Sequence, residues 1–281
     1  MTGTTDVHIN DPQTLYRHWE GEQWSPWDVA LETDREQWRD SLSEQDRALM
    51  YWALSSLMVA EERITTKFAG LVMAADSEEE TTFLATQQVD EARHMQFYAR
   101  FRDEVIAEPK TIADHVSRSR EELGDSFEVI FDRALVQAHE RVAADPRDAG
   151  AKVEFVTIYH LLIEATLGLT AFEFITRYLR DNDLLPGFVE GYGNIHHDEQ
   201  RHIGYGIWFL RKAVARDPEL GERVRHTLRE LLPSVAAALA PPDREGTDWE
   251  ALGAGGDEIR DFALNGLTRR LNIVGVPLTS L

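Results

Sequence analysis

Cysteine is absent from the 281 residues, which excludes disulfides, iron–sulfur clusters and thiolate zinc sites. Any metal must therefore be held by oxygen and imidazole. No run of about eighteen consecutive apolar residues occurs, and no basic-plus-apolar segment opens the chain, so neither a membrane span nor a secretory signal is expected. The expectation is a cytoplasmic protein. Basic residues are scarce, 29 Lys and Arg against 50 Asp and Glu, giving a net charge of −21 that repels nucleic acid and anionic membrane surfaces. Low-complexity tracts and solenoid repeats are missing as well. The hydrophobic content of 43% over this length suffices for a substantial core, and a single domain over 1–281 is expected.

What is present is a carboxylate and histidine motif that occurs twice. Glu91 with His94, and Glu199 with His202, form E-x-x-H pairs, and each has a lone glutamate upstream: Glu61 lies 30 residues before Glu91, and Glu164 lies 35 before Glu199. Residues three apart share one face of an α-helix, so each pair can point inward and grip a metal. An offset of 30 to 35 residues fits a helix, a turn and half the next helix. One Glu from each of two helices and a Glu-x-x-His from each of two others is the donor set of four-helix dinuclear carboxylate proteins. Apolar neighbours flank the lone glutamates: Leu57, Val59 and Ala60 before Glu61, and Leu161, Leu162 and Ile163 before Glu164. Burying four carboxylates without cations is costly, and Arg63, Arg93 and Arg201 are too few to neutralise the set. Hard carboxylates with two imidazoles and no sulfur suit iron and manganese.

The pattern predicts an all-α protein, with residues 1–42 irregular and rich in tryptophan (Trp19, Trp24, Trp27, Trp38), suited to packing over the end of a bundle. Ser43 and Asp46 read as a helix start, and the apolar pattern from Leu49 to Leu71 carries Glu61. Further helices are expected over about Glu78–Val105, Ile112–Ala144 beyond Pro109, Ala151–Arg180, Pro186–Val214, Pro218–Ala240 and Asp257–Leu271. The third of these seven, without an E-x-x-H, reads as a crossover ended by Asp145-Pro146-Arg147-Asp148. Pro241-Pro242-Asp243 breaks the pattern, and residues 272–281 read as an extended tail. Asp198, beside Glu199, is placed to accept a proton from a ligand histidine. His160 and His196 fall four and three residues before Glu164 and Glu199, near enough to add a ligand. Phe68, Phe97, Phe101, Leu167 and Phe172 are candidates to line an apolar pocket. Tyr98 lies four after His94 and seven after Glu91, on their face.

The stretches A-E-E-R-I-T at 60–65, D-E-A-R-H at 90–94, Y-H-L-L-I-E at 159–164 and D-E-Q-R-H at 198–202 carry a resemblance to a known family. The chain resembles the ligand-binding oxidases related to the small subunit of ribonucleotide reductase, in the ferritin-like superfamily. That resemblance implies a ferritin-like four-helix bundle with additional helices, a manganese and an iron (or two irons) as cofactor, dioxygen as oxidant, a long-chain fatty acid or other hydrophobic ligand, and a homodimer. Residue by residue, it implies Glu61, Glu91 and His94 on manganese, and Glu164, Glu199 and His202 on iron. Glu62 is then the neighbour that does not ligate. Tyr159 matches a tyrosine that oxygen activation joins to a valine through an ether bond, and Ile64 stands where that valine would be. Isoleucine keeps a tertiary β-carbon and adds a methylene. Two other readings stay open. A ribonucleotide reductase small subunit would carry a radical at Tyr98, although no tyrosine follows Tyr205 to form a relay. A metal- or lipid-binding protein would show no turnover.

Overall fold

Residues 11–108, 111–121, 123–240 and 253–280 are described in a computed structural model of the protein. The N-terminal tip, Pro109 and the Pro241–Asp243 breaker lie outside them. Every regular element among the described residues is helical. Four long segments carry the chemistry: α3 (Glu44–Lys67), α5 (Glu78–Phe101), α9 (Ala149–Val156) running through a π-helical stretch into α10 (Leu169–Asp181), and α11 (Pro186–Arg216). Their starts are chemically marked. Ser43 and Asp46 form a reciprocal capping box on α3, Ser77 caps α5, Asp148 accepts from Gly150 and Ala151 at the start of α9, and Pro186 opens α11. α3 packs along α5, and α11 along the π stretch, α5 and α10, so the four segments enclose a common interior.

The remaining helices wrap this bundle. α4 (Ala69–Met73) follows α3 after a break at Phe68. A π turn, Arg102–Ile106, ends α5. The expected helix over 112–144 is in fact divided, a correction to the sequence reading. α6 (Ile112–Arg120) packs on α3 and stops, and a second rod restarts at α7 (Asp125–Phe127), passes through a π stretch at Glu128–Ala134 and ends as α8 (Leu135–Ala144) against α4 and α9. Gly124 before α7 breaks the periodicity. This connection carries the chain from the α3–α5 pair to the α9–α11 pair. α12 (Pro218–Ala238) and α13 (Gly256–Val274) cover the far side.

Both chain ends depart from expectation. The segment read as irregular contains α1 (Pro12–Gly21) and α2 (Glu32–Asp40). Asp11 caps α1 with Pro12 in the first turn, and α1 lies on α5 and α11. α2 is almost wholly polar and buries one residue, Asp34, whose carboxylate accepts from the backbone N–H groups of Gly187 (2.8 Å) and Phe188 (2.7 Å) at the start of α11. The tail expected to be extended stays helical to Val274, turns at Gly275 (φ 90°) and closes with a 3₁₀ turn at Leu278–Ser280.

The stretch Ala149–Asp181 is long and apolar enough to cross a membrane by composition, but 78% of its most apolar window is buried inside the bundle. It is the central helix of the core. Two glycines of α11 let aromatic rings approach its backbone. A Cβ on Gly191 would sit 2.1 Å from the Phe97 ring, and one on Gly206 would sit 2.3 Å from Cβ of His160.

Candidate metal centre

The bundle brings together all six residues singled out by the repeated motif. Glu61, Glu91, His94 and Glu199 form one group, and Glu91, Glu164, Glu199 and His202 a second, with one ligand atom from each member lying within 4.8 Å of the others. Glu91 and Glu199 belong to both groups, so the donors do not divide three and three. The oxygens show why: Glu91 sets Oε2 3.4 Å from His94 Nδ1 and Oε1 3.2 Å from His202 Nδ1. Glu199 does likewise, with Oε1 3.6 Å from His94 Nδ1 and Oε2 3.7 Å from His202 Nδ1. Glu61 completes the His94 side (3.5 Å) and Glu164 the His202 side (3.3 Å).

The donor set fits cations. Glu61, Glu91, Glu164 and Glu199 each bury an Oε2 without a hydrogen-bond partner, and both histidines bury an unpartnered Nδ1. Such orphaned atoms are costly unless something positive lies between them. Without a cation, protons take that role. Burial raises Glu61 and Glu164 well above the usual carboxylate range. Burial opposes charging of His94 and His202, yet Glu61 beside the first and Glu91 beside the second hold both imidazoles well above their ordinary value. Glu91 itself is drawn well below the carboxylate range, because the two histidines outweigh its burial.

A second layer aims the imidazoles. His94 Nε2 meets Asp198 Oδ2 at 3.1 Å, and His202 Nε2 meets Asp90 Oδ2 at 3.2 Å, which leaves each Nδ1 facing the centre. Burial works to raise the Asp198 carboxyl, and the His94 hydrogen bond with the Arg201 charge overrides it, holding Asp198 far below the usual range. Trp24 donates to Asp198 (2.8 Å) and Trp19 to Asp90 (2.9 Å). Arg93 and Arg201 link the two aspartates, so these arginines neutralise the outer carboxylates and leave the central ones alone. Arg63 pairs with Asp132, and Glu62 with Arg120, away from the cluster. Asp90, Trp19, Trp24 and Gln87 were not anticipated. Asp90 precedes Glu91 just as Asp198 precedes Glu199, a signal the repeated D-E-x-R-H already held.

The other candidates separate. Tyr159 donates to Glu91 Oε1 and accepts from Gln87 Nε2 (2.9 Å), and the same amide reaches Glu164 Oε1 at 3.3 Å. In an α-helix, residues five apart diverge, but Thr157–Gly168 is π-helical. Its i→i+5 bonding brings Tyr159 and Glu164 to one side. Tyr98 is fully buried with an unpartnered hydroxyl. His160 packs edge-on to Tyr159 at 4.4 Å with Nε2 against Gln87, and His196 stacks on Phe172 at 3.7 Å. Neither histidine belongs to the two donor groups.

An apolar cavity of about 110 Å³ adjoins the cluster, with Glu61, Glu164 and Glu199 in its wall. Ile64, Leu167, Phe172 and Tyr98 line it too. Phe68, Phe97 and Phe101, expected there, pack elsewhere: Phe68 against Tyr159 (5.2 Å), and Phe97 and Phe101 against Phe188 (6.1 and 5.1 Å).

A helical bundle closing four glutamates and two histidines around shared carboxylates defines a protein of the dinuclear carboxylate class. Residues 6–237 match the ribonucleotide reductase, small chain, family, and the chain belongs to it. Membership supports an oxidoreductase built around a dinuclear metal site. Among solved structures, a glycine-to-leucine variant of an R2-like ligand-binding oxidase with anaerobically reconstituted Mn/Fe cofactor aligns with TM-score 0.81 at 21% identity, covering 98% of this chain and 96% of that one. A valine-to-isoleucine variant with the same cofactor gives 0.82 at 22%, with the same coverage. A tyrosine-to-phenylalanine variant with aerobically reconstituted Mn/Fe gives 0.80 at 22%, covering 96% of this chain and 95% of that one. At these identities the shared property is the ferritin-like fold.

Proposed function

We propose that this protein is a dioxygen-dependent oxidase that attacks aliphatic C–H bonds, with manganese and iron, or two irons, held by Glu61, Glu91, His94, Glu164, Glu199 and His202. The observation that carries the reading is the convergence of six orphaned donor atoms beside an apolar cavity. The bound metals supply dioxygen activation and one-electron chemistry. The chain's own residues supply the setting. Asp198 and Asp90 hold the imidazoles in place, and the apolar walls exclude water. Tyr159 places its phenol proton on Glu91, which is the acceptor needed if that ring is oxidised. The family resemblance implies a long-chain fatty acid or similar hydrophobic ligand in a cytoplasmic homodimer; the cavity, at about 110 Å³, has room for the end of such a ligand next to the cluster and not for the whole chain.

In this reading, Ile64 and Tyr159 become joined by an ether bond: the Ile64 Cβ–H and Tyr159 O–H bonds break, the C–O bond forms, and the two protons and two electrons released pass to dioxygen. Peptide mass spectrometry on protein reconstituted with manganese and iron, with and without air, tests it. The expected product is an Ile64–Tyr159 cross-linked peptide, lighter by two hydrogens and formed only in air. Full metal loading with neither this product nor oxidised ligand would leave a metal- or lipid-binding protein without turnover. The buried, unpartnered hydroxyl of Tyr98, four residues from His94, favours one second reading, a radical-bearing small subunit. A tyrosyl radical signal after oxygenation that disappears in Tyr98→Phe would establish it.

A further inference from the structure

The aspartates behind the imidazoles are themselves held by one short stretch of the chain. Asp90, the partner of His202, has three further donors. Trp19 Nε1 (2.9 Å) and Arg93 Nη1 (2.7 Å) both meet its Oδ1, while Arg201 Nη2 (3.3 Å) shares its Oδ2 with His202 Nε2 (3.2 Å). Each of the three leads back to residues 19–23. Trp19 is one of them, Gln23 Oε1 accepts from Arg93 Nη2 at 2.7 Å, and Glu22 Oε2 accepts from Arg201 Nη1 at 2.8 Å. The Gln23 amide also donates to the Trp19 carbonyl, which ties the stretch to the last turn of α1.

Some of these contacts are private to one imidazole and some are shared. Asp198, behind His94, takes its indole N–H from Trp24 at 2.8 Å, and the same two arginines serve it as well. Trp19 therefore reaches the centre through Asp90 and His202 alone. Gln23 and Glu22 hold arginines that touch both aspartates, and so reach both imidazoles. Asp90, Asp198 and Arg201 are buried, and charge-assisted hydrogen bonds in such surroundings are strong ones. The carboxylate torsion of an aspartate is soft. With Oδ1 of Asp90 gripped by Trp19 and Arg93, its Oδ2 is kept on the Nε2–H of His202, which fixes the ring's orientation and tautomer.

We infer that Trp19 is a positioning residue for the metal ligand His202, acting through Asp90, and that Glu22 and Gln23 position both ligand imidazoles through Arg201 and Arg93. The inference rests on the metal centre described above. It makes the end of α1 part of that centre, although no side chain of α1 belongs to the two donor groups.

Nitrogen-15 histidine NMR of the protein loaded with zinc(II), a diamagnetic probe ion, tests this through the Nε2–H protons of the two ligand imidazoles. Trp19→Phe keeps an aromatic ring and removes the indole N–H. It speeds solvent exchange of one of the two protons by roughly tenfold or more and leaves the other within about twofold, and Trp24→Phe does the reverse. Gln23→Ala, at an exposed position, speeds both by about threefold or more, and Gln23→Glu, which keeps an acceptor for Arg93, restores the wild-type rates. Should Trp19→Phe misfold, the benzothiophene isostere of tryptophan at position 19, equal in shape and lacking the N–H, gives the same comparison. Loss of the Trp19 N–H that leaves both protons unchanged overturns the inference, since the indole then only packs. A change that falls equally on both protons also overturns it, as a general loosening of the fold. Absence of zinc-bound histidine signals from the wild-type protein overturns the metal centre and the inference together.

Discussion

A histidine that ligates through one nitrogen is governed by what its other nitrogen touches. In His94 and His202 that partner is a buried aspartate, each taking a further hydrogen bond from a tryptophan of the N-terminal segment. Asp198→Asn and Asp90→Asn keep the shape but lose the charge, and each weakens metal binding by about 10–100-fold. Competition against a chromophoric chelator measures it, and unchanged affinity would reduce the aspartates to packing. At this scale the sequence was most legible. Two E-x-x-H pairs with upstream glutamates identified six residues that the bundle does bring together, because helical spacing alone dictates which side chains share a face. Trp19, Trp24 and Gln87 were not legible. Their roles come from contacts 71 to 174 residues away along the chain, which no local pattern records.

The π-helical stretch Thr157–Gly168 is the element on which the centre turns. Thr166 Oγ1 donates to the Leu161 carbonyl five residues back, the wider bonding step of a π-helix. Glu164 and Tyr159 both sit within it. Deleting Leu162 tightens the winding toward an α-helix and swings the residues that follow around the axis. The expected result is a helical protein of near-normal circular dichroism that holds fewer than two metals per chain by elemental analysis. Two metals retained would show that the winding is incidental. The sequence could not reveal this, since the apolar run Ile158–Ile163 suits α- and π-winding equally. α2 escaped notice for a different reason: apart from Trp38 it is polar, and Asp34 and Gln37, accepting from backbone N–H groups at the start of α11, hold it where an apolar stripe would otherwise do so.

For the molecule as a whole, the cluster makes stability depend on pH in a way that metal reverses. In the metal-free protein Glu61, Glu164, His94 and His202 all bind protons more tightly than in the unfolded chain. Their stabilisation is full below the unfolded values, near 4.5 for the carboxyls and 6.5 for the imidazoles, and is lost as pH rises through the folded values. Glu91 acts oppositely, but its contribution falls away only below 4.5. Metals require the deprotonated donors, so loading releases protons and strengthens with pH. The rise in melting temperature on adding manganese and iron is therefore larger at pH 8 than at pH 6. A constant rise across that range, read by calorimetric scanning, would contradict the assignment of these groups as ligands.

Trp24 and Asp198 stand 174 residues apart, yet a single hydrogen bond joins them behind His94. During synthesis at roughly 5–20 residues per second, that separation is a wait of about 10–35 s. Glu61, Glu91 and His94 leave the ribosome early, with three of the six donors made and the remaining carboxylates still untranslated. A cation met in that interval finds half a cage without its aspartate brace. The full donor set thus exists only late in the synthesis of each chain, once α11 has emerged.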